Sequence, residues 1–175
     1  MVSEKYLILN KIRISSLAQF TLLLTVAVFA PVFHNQILTG SLVNATLFIA
    51  AAVLGLEGAI LIGLLPSLFA LMVGTLPFAL APLIPFIMLS NILLVTSFVY
   101  LKKTNYWLKI ISAALLKFIF LFAVSTLVIN LLFKGKIAGL AATMLSWPQF
   151  LTALLGGVLA YLVLKGGKFI NSENK

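Results

Sequence analysis

The chain has 175 residues, 63% of them hydrophobic and 9% charged, with a net charge of +9. A soluble domain of this size buries only about 70% of its extended-chain surface, so the remainder would be a greasy shell and the solvent must be lipid. No cysteine or aspartate, one histidine and three glutamates are present. That excludes disulfides, thiolate metal sites and protein-ligated iron–sulfur clusters, and leaves general acid–base catalysis almost nothing to use.

Hydrocarbon about 30 Å thick asks for roughly 20 apolar residues as helix, fewer where a segment is broken or shielded. An amphipathic lead, Met1–Ile14, carries no small-residue cleavage site, so a removable signal peptide is not expected. The expected spans are residues 15–33, a short second helix at 42–54, then 58–74, 83–101, 107–133 and 147–164. Gly55-Leu56-Glu57-Gly58 reads as a tight turn whose carboxylate must reach water. Pro77, Pro82 and Pro85 punctuate the approach to the fourth span, and Pro148 falls in the first turn of the sixth, where a missing N–H costs nothing. No internal repeat or linker divides the chain. The fold class is therefore all-α: a polytopic integral membrane protein, one six-helix transmembrane domain over residues 1–175.

Nine of the twelve basic residues lie in three clusters beside these spans: Lys5, Lys11 and Arg13; Lys102, Lys103 and Lys109; Lys165, Lys168 and Lys175. They flank spans and form no patch with interleaved polar aromatics, so they speak of an anionic leaflet and not of nucleic acid. An even number of spans puts both termini on the side of these nine, and only Lys134 and Lys136 opposite. The positive-inside rule then makes both termini cytoplasmic and the location the cell membrane. Tyr106 and Trp107 read as the cytoplasmic interfacial anchor and Trp147 as the outer one.

Oriented this way, the uncharged polar residues gather on the outer side. The segment His34 to Asn44 contains Gln36 and Thr39 as well; Asn91, Asn130 and Gln149 lie in the outer parts of the fourth, fifth and sixth spans. Polar groups in a membrane often bond each other and glue helices at about 0.6 kcal/mol each. Glue has no reason to avoid the inner half, and the one-sidedness points to a pocket open to the outside. His34 alone is more often a solvated or capping residue than a metal ligand, and the sequon Asn44-Ala45-Thr46 sits where glycosylation machinery would not reach.

Lys117 lies ten residues beyond Trp107, about 15 Å along a helix and near the midplane. An ammonium there costs at least about 2.5–3.5 kcal/mol. It either anchors an anionic ligand group at the pocket floor, or snorkels or docks a partner. Small residues recur at Ala59, Gly63 and Ser67, at Ala153 and Gly157, and at Gly156 and Ala160; such stripes mark close helix approach, within the bundle or to a neighbour.

The stretches Gly40 to Phe48, Ala51 to Ala59 with Leu54-Gly55-Leu56-Glu57-Gly58, Ile62 to Ser67, and Ala81 to Ile87 followed by Asn91 resemble the substrate-binding (S) components of energy-coupling factor (ECF) transporters. The resemblance implies six helices, capture of a vitamin, precursor or metal ion at the outer side, docking on a transmembrane coupling subunit, and power from two cytoplasmic ATPases. This chain has no phosphate-binding loop, so partners would hydrolyse the ATP. The first-helix Ala-x-x-x-Ala pair of many members is replaced here by Thr21-x-x-x-Thr25, the expected partner-docking residues. Metal-carrying members have a His-bearing N-terminus; this one begins Met-Val-Ser-Glu without His, so nickel or cobalt is not the expected substrate, and no metal site or cofactor is expected elsewhere. The expected substrate-binding set is Gln36, Asn44, Asn91, Lys117, Asn130, Trp147 and Gln149, with Phe33 and Phe86 beside Trp147 on the apolar faces of a small organic ligand. A non-catalytic scaffold subunit of a larger membrane complex is the alternative. No H-E-x-x-H, G-x-S-x-G or paired carboxylates support an enzyme.

Overall fold

A computed structural model describes residues 2–101, 104–132, 135–167 and 169, with the backbone alone described for 2–14 and 128–132. The described residues are helical almost throughout. Six stretches, 15–33, 36–53, 55–72, 78–100, 106–127 and 135–166, are long and apolar enough to cross a membrane. The first belongs to α1 (Val2–Phe29), which runs without a break from the amphipathic lead into the span. A 3-10 turn, Ala30–Phe33, then delivers the chain through His34, at φ 50°, to α2 (Gln36–Val53).

The second helix is not short. It spans 18 residues and begins at Gln36, because the Asn35 side chain accepts the Leu38 N–H at 3.0 Å and caps it. Residues 36–41 look like loop because Gln36, Thr39, Gly40 and Ser41 interrupt the apolar run. In the helix Gln36, Thr39, Gly40, Val43 and Asn44 fall at positions 0, 3, 4, 7 and 8 of one face, and that face looks into the protein.

Gly55 takes φ 81° in the turn to α3 (Gly55–Leu64), with Glu57 exposed as the turn requires; Gly58 is already helical. Pro66 interrupts the third crossing and opens α4 (Pro66–Met72). A second 3-10 turn, Phe78–Leu83, contains Pro82 and leads into α5 (Ile84–Tyr100). α6 is Tyr106–Leu132 and α8 is Trp147–Gly166, with Pro148 in its first turn. Between them residues 135–144, expected as loop, form a ten-residue helix, α7 (Gly135–Met144). This segment is too short to span, so hydropathy alone does not register it.

α2 and α8 make the most extensive helix pair. Gly156 permits it: a Cβ there would lie 2.8 Å from the Ala45 nitrogen and 2.9 Å from the Ser41 carbonyl. Ala59, Gly63, Ala153, Gly156, Gly157 and Ala160 are all buried, so the small-residue stripes serve packing within the chain. The larger core cluster gathers Phe48, Phe98, Tyr106 and Ile110 toward the end where the chain termini lie. A smaller one, with Leu80, Leu83, Leu121 and Leu145, packs the second 3-10 turn and α7 against α6 at the other end. Tyr106 is a core residue and not an interfacial anchor: it is buried, and its hydroxyl donates to the Gly157 carbonyl at 2.9 Å. Trp107, half exposed, and Trp147, 62% exposed, sit at opposite ends of the bundle in anchor positions.

Candidate functional site

The end of the bundle away from the termini holds a cavity of about 310 Å³. The α2 face contributes Gln36, Thr39, Gly40, Val43 and Asn44; α5 adds Ile87 and Asn91, α6 adds Lys117, and α8 adds Gln149 and Thr152. Leu140 and Met144 of α7 add to the wall, as do Pro66, Ser67 and Ala70 of α4. Most of its surface is aliphatic, with a few convergent polar groups, the composition that suits a small-molecule site.

Lys117 is the centre of those groups. It is only 3% exposed, and its Nζ donates to Asn44 Oδ1 and Asn91 Oδ1, both at 2.8 Å. An ammonium can only donate, so it fixes both carboxamides with oxygen inward. Their nitrogens then face outward to new partners: Asn44 Nδ2 donates to Thr152 Oγ1 at 3.3 Å, and Asn91 Nδ2 to the Gly63 carbonyl at 2.9 Å. One ammonium thus ties α2, α3, α5, α6 and α8 together. Charge-assisted bonds of this length offset part of the cost of burying the charge, but no carboxylate approaches it among the described residues.

The asparagines are placed by glycines behind them. A Cβ on Gly156 would lie 2.7 Å from Asn44 Cβ, and one on Gly63 would lie 3.3 Å from Asn91 Cβ. Near the mouth, Gln36 Nε2 and Gln149 Nε2 both donate to the Met144 carbonyl, at 3.0 and 2.9 Å. This shared acceptor joins the end of α7 to α2 and α8 and leaves both glutamine Oε1 atoms without a protein donor among the described residues. Among the described residues no group of three His, Asp or Glu side chains could hold a metal ion.

Residues 15–166 match the family described as ECF transporter, substrate-specific component. The chain belongs to that family. No curated protein and no solved structure matched it. Membership gives the S component a role in binding a transported substrate, and between that role and a scaffold it is the first that the family carries.

Of the seven substrate-binding positions expected from the S component's sequence, Gln36, Asn44, Asn91, Lys117 and Gln149 line this cavity. Trp147 does not; it is exposed at the start of α8. Phe33 is 60% exposed, and neither it nor Phe86 reaches the lining. Asn130 lies in α6, with its side chain outside the described residues. Lys117 neither snorkels nor docks outward: its tip is held inside the bundle. Thr21 and Thr25 are exposed on α1, where Thr25 Oγ1 bonds the Thr21 carbonyl at 2.8 Å.

Thr39, Ser67 and Thr152 were missed as lining residues. The helical spacing from Gln36 to Asn44 would have revealed the first, and the three-residue step from Gln149 puts Thr152 on the same face of α8. Ser67 reads as part of a packing stripe, yet it lines the cavity and its buried hydroxyl has no partner among the described residues.

Proposed function

We propose that this S component captures a small organic solute, a vitamin or a precursor of one, from the outer side of the cell membrane, and delivers it inward with a transmembrane coupling subunit and cytoplasmic ATPases. The observation that carries the reading is the convergence of Gln36, Asn44, Asn91, Lys117 and Gln149 on one cavity at the end away from the termini. The excess of basic residues at the terminal end makes that end cytoplasmic, so the cavity faces outward. Thr21 and Thr25, on the exposed side of α1, are the positions assigned to contact with the coupling subunit.

Two measurements test it. Mass spectrometry of the purified full-length protein should find a retained organic molecule, and a thermal-shift panel of vitamins and precursors should contain one that stabilises it. Failure of both would remove the capture reading. Sidedness is accessible because the chain has no native cysteine. Gly139 in α7 and Gly166 at the end of α8 are exposed and have open space around a built Cβ. In intact cells an impermeant maleimide should label Gly139→Cys and reach Gly166→Cys only after permeabilisation; the reverse pattern would invert the topology.

A further inference from the structure

The polar groups of the cavity have a polarity of their own. Lys117 uses two of its three N–H groups on Asn44 and Asn91, and the third has no protein acceptor among the described residues. The Ser67 hydroxyl, buried at 6% exposure in the same lining, has no partner either. A buried donor left unsatisfied costs free energy, and a buried ammonium without a counter-ion costs more. Lys117 therefore gives the cavity lining one positive charge and an N–H group still to be accepted. Among the described residues no acidic side chain lines the cavity, and His34, the other titratable lining residue, is exposed at the mouth. The mouth carries the Oε1 atoms of Gln36 and Gln149 as acceptors, while one N–H of each amide is taken by the Met144 carbonyl.

The apolar lining is aliphatic: Val43, Leu76, Ile87, Leu140 and Met144 supply it, and among the described residues no Phe, Tyr or Trp does. A flat heteroaromatic ring would find no stacking face here. The volume, about 310 Å³, is at the lower end for small-molecule sites.

We infer that the solute is a small aliphatic monocarboxylate, bound with its carboxylate against Lys117 Nζ and with hydroxyl or amide donors facing Gln36 and Gln149. One cation matches one carboxylate; a phosphate dianion would leave a buried negative charge uncompensated. This rests on the capture reading above and narrows it to a substrate class.

The test uses full-length protein in detergent. Retained molecules are identified by mass spectrometry, and matched probes are compared by thermal shift and equilibrium binding: pantothenate against panthenol, its neutral alcohol, and nicotinate against nicotinamide. Lys117→Met removes the anchor. Asn44→Asp, which should fold because it sets a carboxylate against the ammonium, neutralises the anchor in place. The expected result is an aliphatic carboxylate, retained or stabilising, that binds at least tenfold more tightly than its neutral analogue and is lost from both variants. A neutral or cationic solute held equally by wild type and both variants would overturn the inference and leave capture intact. A ring-bearing anion that still requires Lys117 would overturn its aliphatic half. No retained solute and no stabilising probe would remove the capture reading itself, and this inference with it.

Discussion

The two ends of the bundle solve the same packing problem in opposite ways. At the terminal end aromatic rings fill the space: Phe48 meets Phe98 at 5.1 Å between centroids, Phe98 meets Tyr106 at 6.0 Å, and Tyr106 meets Tyr161 at 5.2 Å. Lys109 and Lys165 lie over Phe98 and Tyr161 at 5.9 and 5.8 Å. At the far end helices are broken at Pro66 and Pro82, the side chains around the void are aliphatic or polar, and Ser67 has no partner among the described residues. Broken helices survive inside a membrane only where protein or water meets their freed groups. One end is thus filled with rings, and the other keeps a void lined partly by polar groups.

Substitutions should tell the two ends apart. The largest stability effect is expected for Phe48→Ala, which empties a fully buried site in the aromatic end and should cost about 3 kcal/mol. Denaturation should show it, while the folded fraction binds solute with unchanged affinity. Asn91→Leu removes an acceptor from Lys117 and a donor from Gly63. It should weaken binding at least a hundredfold, about 2.7 kcal/mol, and lower the melting temperature much less than Phe48→Ala; equal losses of both properties would blur the division. Gly156→Ala drives a methyl into Asn44 and should cost about 2 kcal/mol of stability, with affinity falling alongside. Gly63→Ala, whose neighbour needs to give only a few tenths of an ångström, should do less. The smallest effect belongs to Tyr106→Phe, where one buried hydrogen bond is worth about 1 kcal/mol. Equilibrium binding should not register it; a change in affinity there would mean the two ends are coupled.

The class of the fold was legible because lipid imposes strong constraints on composition and span length, and the positions of the six spans follow from them. The site was legible as far as polarity inside a span is informative: Asn44, Asn91 and Lys117 stood out because such residues are costly there. What misled was the boundary between loop and helix. Gln36, Thr39 and Ser41 are polar whether they face water or a cavity, and only the helical spacing of Gln36, Thr39 and Gly40 tells these apart. The aromatic lining failed for the complementary reason, since Phe33, Phe86 and Trp147 are equally at home facing lipid. α7 has no strong signal in either sense: its small and apolar residues fit a loop, a packed turn or a short helix.

The network around Lys117 has a consequence for affinity. A free lysine side chain carries about 2 kcal/mol of rotamer entropy, and a ligand that must still a flexible lysine bears that cost on binding. Here Asn44 and Asn91 hold the ammonium in place, and they are held in turn by Thr152 and the Gly63 carbonyl. The ordering is already done by folding, so the anchor is preorganised, and an anion reaching it would lose little of its contact energy to arranging the protein.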